Sequence, residues 1–229
     1  MFHYVGKELW AIQLTKIGRC ILIAILIYST QGFAADWELK KDALGIQVYT
    51  RSVDGYPYKA IRSVVQLENT RLSSVVSLIR DSKECSEWSD SCASATIIEW
   101  VSELENYVHT ITDLPWPVQD RDLVSHVIWH QDPETLVVTM QGNATTGKLR
   151  ENEGIVRLRE AQINWELTAL ENGVLQVVFE AHIDPTSLLP SWITNMLLVD
   201  SPYNSMEGLR QQVKLELYRD VELSYIDEI

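Results

Sequence analysis

One long amphipathic helix at the end of a strand-rich chain constrains the fold most. From residue 190 onward, apolar side chains recur at steps of three and four residues, which indicates a single buried helix face. Pro202 lies inside this helix and predicts a kink, because proline lacks an N–H donor and crowds the preceding turn. The predicted stripe comprises Trp192, Met196, Val199, Tyr203, Met206, Leu209, Val213 and Leu217.

The residues before this helix predict mainly strands. Asn172 and Gly173 form a strong hairpin signal between the last two strands, and residues 70–79 carry helical spacing. Runs of neighbouring strands with few helices indicate an α+β fold with an antiparallel sheet. The predicted strands cover residues 45–53, 58–67, 96–102, 107–112, 123–129, 136–140, 155–170 and 174–183.

The first 34 residues predict a secretory signal peptide. Lys7, Lys16 and Arg19 precede an apolar run over residues 20–28, and small residues follow up to Ala34. The apolar run is shorter than the roughly 20 residues that a membrane span needs. We therefore expect a periplasmic or secreted domain over residues 35–229; the alternative is that the segment stays uncleaved as an anchor.

The net charge limits which partners are expected, and the cysteines indicate in which compartment the protein folds. A net charge of −13 repels phosphate backbones, so nucleic acid is not an expected partner, and it favours a soluble monomer. Cys85 and Cys92 flank Trp88, and in an oxidising compartment they predict a local disulfide. The alternative is a pair of free thiols.

Four segments share a pattern with one known family, namely Trp37 with residues 45–51, Trp88, residues 114–122 and residues 189–195. Together they resemble the START family, in particular its short bacterial members. Trp37 with residues 45–51 resembles the opening strand of that family, and Trp88 its loop tryptophan. The run Leu-Pro-Trp-Pro-Val-Gln-Asp-Arg-Asp over residues 114–122 is similar to the entry into its central strand, and is the most specific match. Residues 189–195 resemble the start of its C-terminal helix. The cysteine pair and the lack of helices before the first strand depart from the family pattern.

This resemblance implies a helix-grip fold, in which a curved antiparallel sheet wraps around the long C-terminal helix. It also implies a tunnel for a sterol, phospholipid or other apolar ligand, with transient membrane contact during exchange. Without the resemblance, the residues favour a solid core, since apolar alternation and a helix stripe occur in any packed core. The predicted ligand-binding residues are Trp116, Arg121, Val127, Trp129, Val138, Met140, Trp165, Phe179, Trp192, Asn195, Met196 and Val199.

The residues near residue 120, together with Asn195, each allow two interpretations. Arg121 and Asp122 point to opposite faces of a strand, and either could hold a ligand headgroup. Alternatively, both pin the loop over residues 115–117. Trp116 is either a gate or a core plug, and Asn195 either offers its amide to a ligand or faces water.

Two other functions compete with lipid carriage. An enzyme of the same superfamily, resembling cyclases or hydrolases, would need Arg121, Asp122 or Ser125 in the cavity. A protein-interaction module would instead have a filled core. We predict neither a cofactor nor a metal site, since His126 and His130 lie four strand residues apart, about 13 Å, whereas zinc ligands lie about 2 Å from the ion.

Overall fold

The computed structural model describes residues 36–228, so the predicted signal peptide lies outside the described residues. A ten-stranded sheet with the order β1-β2-β3-β10-β9-β7-β6-β5-β4 dominates this part. All pairs on that path are antiparallel, and β8 alone pairs in parallel, with β6. The strands are β1 Glu38–Ala43, β2 Ile46–Ser52, β3 Lys59–Glu68, β4 Cys92–Ser102, β5 Glu105–Thr112, β6 Arg121–Gln131, β7 Val138–Ala144, β8 Val156–Leu158, β9 Ala161–Ala169 and β10 Val174–Ile183.

The helices lie in two places along the chain. The first group follows β3, and the second follows β10 and packs against the curved sheet. This arrangement confirms the predicted α+β helix-grip fold. The helices are α1 Leu72–Arg80, α2 Cys85–Trp88, α3 Ser191–Asn195, α4 Ser201–Gln212 and α5 Glu216–Arg219, with a π-helical turn over Met196–Asp200 and 3₁₀ turns over Ser82–Glu84 and Glu171–Gly173.

The sheet differs from the predicted one at two strands. β1 was not predicted, because its side chains are mostly charged and it pairs on one side only, so it lacks apolar alternation. The strand predicted over residues 155–170 is divided at Arg159 and Glu160. Its first part, β8, leaves the hairpin and pairs with β6, whereas β9 continues beside β10.

The predicted stripe of the C-terminal helix is confirmed in its second half and wrong in its first. Tyr203, Met206, Leu209 and Val213 are buried, whereas Trp192 is exposed. The π turn between α3 and α4 contains one residue more than an α turn, which rotates α3 by about 100° relative to α4. Pro202 lies in the first turn of α4, directly after the π turn, so the irregularity falls beside the proline.

The end of the stripe also departs from prediction. The long helix stops at Gln212, and Leu217 lies in the separate helix α5 with 62% of its surface exposed. Tyr218 is buried there instead, and its hydroxyl donates to the Asp81 carboxylate at 3.1 Å. Because the chain turns after Gln212, a periodicity continued from α4 no longer describes which residues face the core.

A disulfide between Cys85 and Cys92 joins α2 to the start of β4, with Cα atoms 6.0 Å apart. This bond was predicted from the sequence. The same segment packs against α4, where Gly208 lies directly on the backbone of Trp88. The disulfide and the glycine contact together hold α2 between the sheet edge and the C-terminal helix.

We expect Gly208→Ala to destabilise the fold although alanine favours helices. Its Cβ would lie 2.9 Å from the Trp88 Cα and closer still to the Trp88 carbonyl oxygen, so backbone must move. Overpacking of this kind costs about 1–3 kcal/mol. Gly142→Ala is the matched control, since its Cβ would meet no atom closer than 3.6 Å. Denaturant unfolding that gave Gly208→Ala the same midpoint as the native chain would contradict this packing.

Candidate ligand cavity

A cavity of about 710 Å³ lies between the concave face of the sheet and the C-terminal helix. It lies within the range of roughly 300–1,000 Å³ that is typical of sites for one small molecule. Leu188 lines it and is 97% exposed, so the cavity reaches the surface at the loop over residues 184–190. The interior is therefore hollow rather than filled.

The strands supply the apolar walls, as alternation predicted. Of the predicted ligand-binding residues, six line the cavity: Arg121, Val127, Trp129, Met140, Trp165 and Phe179. The Trp165 ring lies 4.9 Å from Phe179 and 6.0 Å from Trp88 between ring centroids, which builds an aromatic wall. Val138 does not line the cavity, because it is fully buried in the solid part of the core.

The four residues of the C-terminal helix that we predicted to bind the ligand do not line the cavity. Trp192 and Asn195 are exposed, and Met196 and Val199 are partly buried but do not line the cavity. The rotation of α3 by the π turn explains this error, since the true lining residues follow the shifted register. They are Thr194, Leu197, Leu198, Ser201, Pro202, Ser205 and Met206.

Trp116 is neither a core plug nor a lining residue, since 90% of its surface is exposed. It precedes Pro117 through a cis peptide bond in the loop between β5 and β6. Two other large apolar side chains at this end of the sheet are exposed, Leu188 and Trp192. The loops of β5–β6 and β10–α3 are joined here by a bond from Arg121 to the Ser187 hydroxyl.

Sequence reasoning missed the loops that complete the cavity. Residues 57–59, 85–92 and 185–189 contribute lining side chains but carry no periodic pattern that would reveal an inward face. Among these three segments, only residues 85–92 carried a sequence feature that drew attention to them, namely the cysteine pair. Lining residues on β4 and β5 were also missed, namely Ala95, Ile97, Asn106, Val108, Thr110 and Thr112.

Arg121 enters the cavity wall from the first residue of β6. It is 5% exposed, and its guanidinium donates to the Gln119 carbonyl and, at 2.9 Å, to the Ser187 hydroxyl oxygen. Its Nε atom is buried and has no hydrogen-bond partner among residues 36–228. Burial lowers the pKa of Arg121, opposed in part by the nearby Asp120 carboxylate.

Asp122 points to the other face of the sheet, as strand alternation predicted. Its carboxylate accepts two bonds of 2.8 Å from Arg157 and one of 2.8 Å from the His109 ring. Burial raises its pKa, but the bonds from Arg157 and His109 outweigh burial and leave the pKa below the ordinary value. Asp122 therefore forms a structural ion pair and does not line the cavity.

Neither a metal site nor a spanning helix is found in the described chain. Between residues 36 and 228, no group of three or more His, Cys, Asp or Glu side chains is placed to hold a metal ion. His126 instead contacts Glu105 at 2.7 Å and stacks on Tyr107. Over the same residues, no helix combines the length and apolarity needed to cross a membrane.

The fold and the hollow interior together define a helix-grip protein with an internal ligand cavity. The family model for the START domain matches residues 23–215. The chain belongs to the START domain family.

Three known proteins are similar to this chain. An uncharacterized protein of Pseudomonas aeruginosa is 30% identical over 195 residues, 84% of this chain and 95% of that protein. A STAR-related lipid transfer protein of Xanthomonas axonopodis, in a crystal structure of a fragment, is 30% identical with a TM-score of 0.70, covering 78% of this chain and 99% of that one. Human StAR-related lipid transfer protein 5 shares the fold at 17% identity and a TM-score of 0.70, covering 88% and 97%.

We expect Asp122→Asn to destabilise the fold by about 3–5 kcal/mol, because Arg157 would remain buried without a charged partner. The lowered pKa of Asp122 means that its contribution is present above its ordinary pKa and is lost as pH falls through the lowered folded value. Urea unfolding from neutral to acidic pH should therefore show a weaker acid dependence in the variant.

Glu99→Gln is the control for Asp122→Asn. Glu99 pairs with Lys148 at 2.8 Å on the surface, and exposed pairs contribute about 0–1 kcal/mol. Equal losses of stability in the two variants would mean that the Asp122 ion pair does not anchor the sheet.

Proposed function

We propose that this protein binds one lipid or other apolar small molecule in the cavity and carries or senses it, without catalysing a reaction. The observation that carries this proposal is the hollow, mostly apolar interior between the sheet and the C-terminal helix. Membership of the START family supports it, as does the likeness to the STAR-related lipid transfer protein of Xanthomonas axonopodis.

The energetics of burial suit a carrier. Each buried methylene contributes about 0.8 kcal/mol. A chain of a dozen methylenes inside the cavity would thus gain roughly 10 kcal/mol relative to water, which offsets most of the cost of leaving a bilayer. Trp129, Met140 and Trp165 provide large and adaptable apolar contacts for such a chain.

The two competing functions receive less support. A protein-interaction module with a filled core does not suit a cavity of about 710 Å³. For an enzyme, Asp122 is engaged by Arg157 on the opposite face of the sheet. Ser125 lines the cavity, but within residues 36–228 its hydroxyl forms no hydrogen bond with a histidine or with a carboxylate. Binding is therefore the better conclusion.

The setting that we propose is an oxidising, exported compartment such as the periplasm, with the protein acting as a monomer. The bond between Cys85 and Cys92 supports this setting, since disulfides persist mainly in such compartments. The basic and then apolar character of the first 34 residues supports export.

Ligand exchange would take place at the end of the sheet where the cavity reaches the surface. Trp116, Leu188 and Trp192 define an exposed apolar rim there. Because the chain carries a net charge of −13, attraction to anionic headgroups is not expected. Insertion of the apolar rim into the lipid interface would instead bring the cavity to the membrane for a short time.

We expect Val127→Trp to weaken binding of a neutral fluorescent lipid probe at least tenfold, since the larger ring would occupy the cavity. Ile128→Trp is the matched control, because Ile128 is the next residue of β6 and is exposed on the other face. Fluorescence titration of both variants tests this, together with mass spectrometry of organic extracts from the purified protein. Absence of any extracted lipid and of probe binding by the native chain would refute the carrier proposal.

Replacing Trp116 and Trp192 together by serine should slow transfer of the probe to neutral phosphatidylcholine vesicles several-fold while leaving probe affinity unchanged. Leu217→Ser is the control, since Leu217 is a large exposed apolar side chain that does not line the cavity. Stopped-flow transfer measurements at low and high salt check this. A transfer rate unaffected by the double replacement would assign exchange to another surface.

A further inference from the structure

We infer that the ligand is an anionic single-chain amphiphile whose carboxylate binds Arg121, with its apolar chain extending along β6 into the cavity. This inference rests on the proposed function and names the ligand class for that cavity. It follows from one buried cation, from the charges of the cavity wall, and from the order of residues along one strand.

Arg121 is the buried cation. It is 95% buried and forms no ion pair with any acid among residues 36–228. A buried charge without an ion-pair partner is costly, and arginine cannot relieve the cost by losing its proton. Its Nε–H group has no acceptor in the described chain, although the guanidinium lies in the cavity wall. An anionic headgroup would satisfy both the charge and this donor.

The charged residues that line the cavity also favour an anionic ligand. The cavity is lined by three cations, Lys59, Arg80 and Arg121, and by one acid, Asp90, although the whole chain has a net charge of −13. Lys59 is balanced by Glu38 at 3.7 Å. Arg80 lies over the ring of Trp100 and donates to a backbone carbonyl. Among residues 36–228, Arg121 differs from both, since it has no acid within ion-pair distance and no aromatic ring beneath it. The nearby Asp120 carboxylate instead accepts a bond of 3.0 Å from the Leu114 N–H group.

The geometry around Arg121 suits a carboxylate. A guanidinium presents its donors in a planar fork that matches the two oxygens of a carboxylate. The Ser187 hydroxyl accepts a bond from Arg121 at 2.9 Å, which leaves its own proton free to donate to the same headgroup. Two donors, one at the start of β6 and one in the loop before α3, would therefore meet the acid at the cavity mouth.

The order of residues along β6 suits an amphiphile. Four residues of β6 line the cavity from the mouth inward, and along this strand they change from charged to polar to apolar: Arg121, Ser125, Val127 and Trp129. The eight steps from Arg121 to Trp129 correspond to roughly 27 Å of strand. A molecule with an acid at one end and a hydrocarbon chain at the other matches this gradient, whereas a neutral sterol would leave Arg121 unpaired.

Calorimetric titration with dodecanoic acid, its methyl ester and acetate tests the inference. We expect the native protein to bind the acid about tenfold or more tightly than the ester, as a charge-assisted hydrogen bond allows. Arg121→Gln should remove this preference and leave ester affinity unchanged, which also shows that the cavity remains intact. Arg121→Lys should retain a reduced preference, and Lys148→Gln, which removes a surface cation outside the cavity, should retain it fully.

The possible outcomes distinguish a failure of the headgroup assignment from a failure of lipid binding itself. Equal affinities for acid and ester in the native protein would overturn the headgroup assignment and leave lipid binding in place. An unchanged preference in Arg121→Gln would overturn the role of Arg121. Acetate that bound as tightly as the long-chain acid would identify a site for free anions and overturn the amphiphile. Failure of both long-chain molecules to bind would overturn the proposed function itself.

Discussion

The ion pair between Asp122 and Arg157 is the interaction on which the geometry of the cavity depends. It joins β6 to β8, and the His109 contact extends it to β5. Arg157 also donates to the carbonyls of Leu149 and Arg150, which ties down the loop before β8. Because neighbouring strand residues point to opposite faces, fixing Asp122 outward turns Arg121 inward. The ion pair of Asp122 on the outer face of the sheet thus places the Arg121 guanidinium in the cavity wall on the inner face.

The C-terminal helix has a different constraint, since it must close the core and also border an open space. Leu209 and Val213 pack against solid core, whereas the inward-facing residues from Thr194 to Met206 border the cavity. The π turn over Met196–Asp200 lies within the part that borders the cavity. Such turns occur often at functional sites. The extra residue brings Leu197 and Leu198, instead of Met196 and Val199, to the cavity.

Much of the fold could be predicted because its strands alternate and its turns use strong signals. Leu175 and Val177 alternate inward as expected, and Asn172 and Gly173 both adopt positive φ in the turn before β10. The site was only partly predictable. Arg157, the partner of Asp122, is 35 residues away in the sequence, and no local pattern indicates such a distant ion pair. The hollow interior depends on how distant elements meet, which periodicity does not describe.

The two edges of the sheet have a consequence for how the molecule behaves in concentrated solution. An open sheet leaves β1 and β4 with unpaired backbone groups that could recruit a strand from another molecule. β1 is short and carries charges of both signs from Glu38 to Asp42, which disfavours such recruitment. β4 is long, but three irregularities interrupt its register with β5. Each edge therefore resists strand-to-strand aggregation by a different means, one by charge and the other by irregular shape.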